Sequence, residues 1–134
     1  MDAAKEAIAR KCQEGSVSGT MTFPQIVKTL MEAGFEGYLA DLRRSTKTYY
    51  LPNGESIELP MSNKDSVAEN FDATVIKEAI REAQMLVPGY TYKGFCVKVT
   101  GAGCAGYIVS FPGRRAVYFG RTGEIHVEHF PAAK

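Results

Sequence analysis

Residues 33–39 read AGFEGYL, and 69 positions later residues 102–108 read AGCAGYI. The same shift aligns residues 22–55 with residues 91–124 without a gap, and eight of those 34 pairs are identical. Ordinary amino-acid usage would give about two identities. The shared glycines occupy positions where backbone geometry is most demanding, so the match predicts a repeated structural unit.

Upstream of this region the matching shift changes to 72, which pairs residues 5–8 with residues 77–80. Copy one therefore covers about residues 2–60, and copy two covers about residues 73–131, with a polar linker at residues 61–72. Because that linker is too short to separate two domains, we expect the whole chain of 134 residues to form a single domain.

Each copy is predicted to hold two helices followed by three strands. We expect the helices at about residues 3–14, 22–34, 73–86 and 92–102. We expect the strands near residues 37–44, 47–51, 56–59, 105–111, 116–119 and 125–129. By propensity the stretch 92–102 is a poor helix, since it contains Gly94 and Gly101. The repeat nevertheless requires a helix there, and we predict one.

These elements predict an α+β fold in which two antiparallel meanders share a sheet or pack edge to edge. The four helices are expected to cover one face, and the duplication predicts a pseudo-twofold relation between the copies. The stretch Tyr107–Phe111 is almost continuously apolar, which indicates a central strand. The strand at 37–44 carries Asp41, Arg43 and Arg44, so we expect it to be more exposed.

Composition excludes several classes of protein. The net charge is +1, from 16 basic and 15 acidic residues, which argues against a dedicated nucleic-acid binder and a polybasic membrane surface. No apolar run approaches the roughly 20 residues of a spanning helix, and the charged N-terminus does not resemble a secretion signal. The three cysteines lack metal-type spacing, so we expect reduced thiols in the cytoplasm.

The last predicted strand contains the most suggestive polar pattern. Because side chains alternate along a strand, Glu124, His126 and Glu128 share one face. A carboxylate–imidazole–carboxylate strip could bind a divalent metal or perform acid–base chemistry. The alternative, which such a pattern more often reflects, is a solvated outer strand face.

Four tyrosines occupy matching positions in the two copies, namely Tyr38, Tyr49, Tyr107 and Tyr118. Such tyrosines could line a pocket at the pseudo-twofold, although they more often pack at the edge of a core. Arginines near the turns, including Arg121, could present an anion site or could simply be exposed. The candidate ligand-binding residues are therefore Tyr38, Tyr107, Tyr118, Arg121 and His126.

No cofactor is predicted from the glycine-rich stretch at residues 101–106. A dinucleotide-binding loop follows a strand and opens a helix, whereas this stretch follows a helix and opens a strand. The repeat accounts for Gly103 and Gly106 as counterparts of Gly34 and Gly37. Cys104 has no assigned base for a nucleophilic role.

Four stretches, at residues 22–27, 48–56, 102–108 and 126–131, resemble in order the YbcV-like family. The resemblance covers almost the whole chain. It implies a small protein of bacterial or prophage origin with a domain of unknown function, and some members are labelled "phage envelope protein". It supplies no catalytic residue.

We therefore expect a small non-catalytic binding or interaction protein rather than an enzyme. Its partner would be an unspecified protein or small molecule. The sheet edges could also support a homodimer. The alternative is a metal-binding protein or small enzyme that uses Glu124, His126 and Glu128. The presence or absence of a polar pocket between the two copies would discriminate among these hypotheses. If such a pocket exists, Tyr38 and Tyr107 should line it.

Overall fold

Four helices and six strands form along the chain in the computed structural model, which describes residues 1–61 and 65–130. The helices are α1 (Ala3–Ser18), α2 (Phe23–Glu32), α3 (Ala73–Met85) and α4 (Tyr92–Gly101). The strands are β1 (Gly37–Asp41), β2 (Thr46–Tyr50), β3 (Ser56–Pro60), β4 (Cys104–Ser110), β5 (Arg115–Gly120) and β6 (Ile125–His129). The predicted α+β class is confirmed. Residues 62–64 of the predicted linker and residue 131 of the predicted second copy lie outside the described residues.

Each helix begins after a side chain that accepts a hydrogen bond from a backbone N–H of the first turn, namely Asp2, Thr22, Asp72 and Thr91. The helix predicted at 92–102 against its propensity is confirmed as α4. Its glycines are tolerated because Phe95 and Val99 are buried against the rest of the core, and packing outweighs intrinsic preference. Within the described residues, no helix combines the length and the apolar character needed to cross a membrane.

All six strands form one antiparallel sheet in the order β3-β2-β1-β4-β5-β6. The two meanders therefore share a sheet, which they form by pairing their first strands, β1 and β4. The prediction of an exposed strand at 37–44 is wrong, because β1 is central and its Tyr38 and Ala40 are buried. The charges that suggested exposure belong to the following turn, where the Asp41 carboxylate accepts hydrogen bonds from the backbone N–H groups of Arg43 and Arg44.

The register of the two central strands is compatible with the predicted pseudo-twofold. Leu39 pairs with Ile108, which is its own counterpart under the 69-residue shift. The two pairs that flank it in the β1–β4 ladder are converted into each other by the same shift. Ser45 and Arg114, the counterparts in the first turn of each meander, both have a positive φ, of 54° and 52°. Origin by duplication stays a prediction, which this geometry supports.

The two faces of the sheet differ in what covers them. Tyr38, Tyr49, Tyr107 and Tyr118 point to the side where the helices lie, and all four are buried. Ile108, on the opposite side, is 47% exposed. The helices therefore cover one face of the sheet, as predicted, and the buried core lies between the helices and that face.

Candidate functional site

A cavity of about 570 Å³ lies between the helices and the sheet. Its volume falls within the range of about 300–1,000 Å³ typical of small-molecule sites. Side chains from all four helices line it, together with the segment at residues 86–91 and the helix-facing side of the sheet. Helices and strands position most of these side chains, so the cavity is a feature of the fold.

Part of the lining comes in pairs that the 69-residue shift relates. The pairs are Tyr38 with Tyr107, Tyr49 with Tyr118, Thr22 with Thr91, Phe23 with Tyr92, and Ile26 with Phe95. The cavity therefore lies between the two predicted copies. Tyr38 and Tyr107 line it, as expected for a pocket in that position.

The tyrosines form a connected aromatic cluster. The ring centroids of Tyr107 and Tyr118 are 5.0 Å apart, and those of Tyr38 and Tyr107 are 6.2 Å apart. The hydroxyl oxygens of Tyr92 and Tyr107 are 2.8 Å apart and share a hydrogen bond. The Tyr49 hydroxyl donates to the Gln13 side-chain oxygen at 3.0 Å. The cluster is therefore held in place by hydrogen bonds as well as by ring packing.

These tyrosines remain neutral under physiological conditions. Burial raises the pKa of Tyr38, Tyr49, Tyr92, Tyr107 and Tyr118 well above the ordinary value of 10. The cavity wall therefore offers aromatic surface and neutral hydroxyls, but no phenolate.

Lys47 contributes a buried amine to this otherwise aromatic wall. It lies on β2, two residues from Tyr49, and only 3% of its surface is exposed. Its Nζ is 4.4 Å from the ring centroid of Tyr92 and 5.3 Å from that of Tyr38. Those contacts are cation–π interactions, which partly compensate the loss of hydration.

Apart from these cation–π contacts, little compensates the buried charge of Lys47. Among residues 1–61 and 65–130, no carboxylate forms an ion pair with its Nζ. Burial lowers the pKa of Lys47 from 10.5 to about 8, and the nearby Cys12 and Cys96 oppose this only in part. At neutral pH the group is therefore mostly a charged ammonium, which gains from an anion brought into the cavity.

Another part of the cavity lining carries a carboxylate and an imidazole. There Glu128 and His129 of β6 join the lining. Lys47 is on β2, so four strand spacings of about 4.8 Å, or roughly 19 Å, separate the two backbone positions. The ammonium and the Glu128 carboxylate are thus contributed by strands on opposite sides of the centre of the sheet.

Three of the five predicted ligand-binding residues line the cavity, namely Tyr38, Tyr107 and Tyr118. Arg121 does not line it. Arg121 is exposed in the β5–β6 turn, where its guanidinium donates to the backbone oxygen of Val67 at 3.4 Å. His126 lies beside the cavity, opposite Tyr118 in the sheet. Ligand binding by any of these residues stays a prediction.

The three predicted metal ligands are only partly brought together. His126 Nε2 lies 3.0 Å from Glu128 Oε1, and both residues are half-buried on the helix-facing side rather than on a solvated outer face. Glu124 precedes β6, and its carboxylate accepts a hydrogen bond from the Thr122 hydroxyl, which lowers its pKa. Within the described part of the chain, no three acidic, histidine or cysteine side chains are placed to hold a metal ion.

Lys47 is the functional candidate that sequence reasoning missed. Two signals were present. In β2, strand alternation places Lys47 on the same face as Tyr49, and the 69-residue shift aligns it with the apolar Ala116. Both indicated a lysine directed into the interior.

Comparisons with known proteins give a family but no activity. The family model described as "Protein of unknown function (DUF1398)" matches residues 15–129. No curated protein matches the chain.

Proposed function

Since the chain belongs to this DUF1398 family, whose description assigns no activity, we propose a function from the cavity itself. The protein binds a small molecule that has an apolar body and one acidic group. The acidic group lies at Lys47, and the apolar body lies among the tyrosines. The observation that supports this most is the buried Lys47 ammonium, which has no carboxylate partner among the described residues.

The cavity wall favours an apolar body of ligand. Phe23, Phe95 and the tyrosines present rings, while Ile26 and Ile80 add aliphatic surface. Burying apolar ligand surface there contributes about 25 cal/mol per Å² before the costs of association. Flat rings and short alkyl chains both suit a wall of this kind.

The charge on Lys47 favours an acidic group over a neutral one. A charge-assisted hydrogen bond contributes about 1.5–3 kcal/mol, and its loss corresponds to roughly 10- to 150-fold in affinity. An anion would also raise the pKa of Lys47, because it stabilises the ammonium. Binding of an acid should therefore weaken as the pH rises through about 8.

A matched pair of probes tests the proposal. Octanoate and 1-octanol have the same chain length, and only the first carries a charge. By isothermal titration calorimetry at pH 7, we expect octanoate to bind at least tenfold more tightly. Lys47→Met, which keeps the length of the side chain and removes the charge, should abolish that preference while leaving octanol binding nearly unchanged.

Lys28→Met serves as the control, because Lys28 is an exposed lysine on α2. It should leave the affinity of both probes unchanged. Equal affinity for octanoate and octanol in the unaltered protein would contradict the role given to Lys47. Absence of binding by either probe would contradict the cavity as a site for apolar ligands.

We extend the proposal to the setting of the protein. The four stretches that resemble the YbcV-like family support a bacterial or prophage origin, and the three buried cysteines, which form no disulfide, are compatible with a reducing cytoplasm. The sheet edges at β3 and β6 could pair between copies to give a homodimer. Light scattering after size-exclusion chromatography tests the dimer, and a monomer at high concentration would contradict it.

A further inference from the structure

We infer that Lys47 also captures carbonyl compounds, by forming a reversible Schiff base with an aldehyde or ketone that has an apolar body. The inference rests on the proposed function, because the same cavity would hold the ligand. The two proposals use different protonation states of Lys47, however. An acid would bind the protonated ammonium, whereas a carbonyl group reacts with the neutral amine.

The fold holds the amine in one place. Lys47 is the second residue of β2 and pairs with Leu59 of β3 and Ala40 of β1, so neighbouring strands hold its backbone on both sides. Its Nζ lies against the rings of Tyr92 and Tyr38 on the cavity wall. An apolar carbonyl compound seated among those rings would be held next to the amine, which replaces an encounter in solution with a local reaction.

Desolvation by the groups around Lys47 favours its neutral form, and two nearby thiols oppose this only in part. Tyr38 on β1, Tyr49 on β2 and Tyr92 on α4 have a raised pKa and stay uncharged, as does Cys12 on α1. The thiol of Cys96 on α4 is also near. These three tyrosines and Cys12 therefore supply no permanent negative charge that would keep the lysine protonated.

The fraction of neutral amine follows from the pKa of Lys47. With a pKa of about 8, roughly a quarter of the amine is neutral at pH 7.5, against about one in a thousand for an ordinary lysine. Enclosure by aromatic rings also limits the water that would hydrolyse the product. Lowered pKa by desolvation is a recognised way to activate a lysine nucleophile.

The reaction balances without an added reagent. The nitrogen lone pair attacks the carbonyl carbon, and one amine proton moves to the oxygen to give a carbinolamine. Loss of water then leaves a carbon–nitrogen double bond, and both amine hydrogens depart in that water. The paired hydroxyls of Tyr92 and Tyr107 line the same cavity, and their oxygens can accept hydrogen bonds from the departing water.

Reductive trapping tests the inference. Octanal and sodium cyanoborohydride are added to the protein at pH 7.5, and the alkylated lysines are located by peptide mass spectrometry. We expect Lys47 to be alkylated at least tenfold faster than the exposed Lys28 and Lys77. Excess octanoate should slow the labelling of Lys47 alone. Lys47→Arg, which keeps the charge, should leave labelling of the other lysines unchanged.

The two proposals fail in different ways. If octanoate binds but Lys47 is labelled no faster than Lys28, carbonyl capture is overturned and the binding function stands. If Lys47 is labelled rapidly but octanoate binds no better than octanol, capture stands and the acidic ligand is wrong. The labelling rate of Lys47 should rise with pH to a midpoint near 8, and a midpoint above 10 would overturn the inference.

Discussion

The two halves of the sheet present the same tyrosines to the cavity but different charges. On the helix-facing side, copy one has Lys47, Ile57 and Leu59 where copy two has Ala116, His126 and Glu128. The shared tyrosines form the aromatic wall at the centre. The residues that differ place an ammonium on β2 and a carboxylate beside an imidazole on β6, so the two halves of the sheet differ in charge rather than in aromatic surface.

The largest effect on octanoate affinity is expected when the lysine is moved from one half of the sheet to the other. In the double variant Lys47→Ala, Ala116→Lys, the ammonium is transferred to the equivalent position. Ala116 pairs directly with Glu128 in the sheet, so the new lysine would have a carboxylate partner. We therefore expect octanoate affinity to stay 10- to 100-fold below that of the unaltered protein, as calorimetry would measure.

Full recovery of octanoate binding in that double variant would show that the halves are interchangeable. In that case Glu128 would play no part in the polarity of the cavity. Adding Glu128→Gln to the double variant refines the test, because it removes the partner of the new lysine. We expect this triple variant to recover part of the lost affinity.

Stability as a function of pH provides the next test of the difference between Lys47 and Ala116. Because the pKa of Lys47 is lowered in the folded state, the unfolded chain binds more protons between about pH 8 and 10.5. The contribution of Lys47 to the free energy of unfolding should therefore rise with pH in that window, by on the order of 3 kcal/mol if the whole shift is expressed. Below pH 8 both states are protonated and the cost of the buried charge is fully present.

Lys47→Met should lack this rise and should be more stable than the unaltered protein at pH 7. Urea unfolding at pH 7, 8 and 9 measures both effects. The difference between the two proteins isolates Lys47, because the buried cysteines and tyrosines lower the stability of both as the unfolded thiols and then the unfolded tyrosines ionise. A Lys47→Met protein that is less stable at pH 7 would contradict the account.

A smaller effect is expected from the hydroxyl pair between Tyr92 and Tyr107. Tyr107→Phe removes one partner of a 2.8 Å hydrogen bond within the cavity wall. The expected loss is about 1 kcal/mol in the free energy of unfolding, measured by urea denaturation. Tyr50→Phe is the matched control, because Tyr50 is 37% exposed, and it should change stability by less than about 0.5 kcal/mol. Equal losses in the two variants would contradict the structural role of the pair.

The smallest effect is expected at Arg121, which lies in the β5–β6 turn outside the cavity lining. Arg121→Ala should change octanoate affinity by less than twofold in calorimetry. A loss of fivefold or more would support the sequence-based prediction that Arg121 binds the ligand, and it would place part of the site outside the cavity.

Much of this fold could be predicted from the sequence, because the repeat supplied two independent readings of each element. It correctly required α4, where Gly94 and local propensity argued against a helix. The position of β1 was missed, since charges that belong to a turn were counted as part of the strand. Lys47 was missed because a lysine is seldom buried, and its surroundings come from α1, α4 and β1 rather than from nearby residues in the chain.

The ionisation of Lys47 tests the central claim most directly. Lysine labelled with ¹³C at Cε reports protonation by nuclear magnetic resonance, and Lys47→Met assigns the signal. We predict a pKa near 8 for Lys47 in the free protein and a clear rise when octanoate is added. A pKa near 10.5 that octanoate does not change would contradict the claim that this cavity holds a buried amine which, among the described residues, has no carboxylate partner and can receive an acidic ligand.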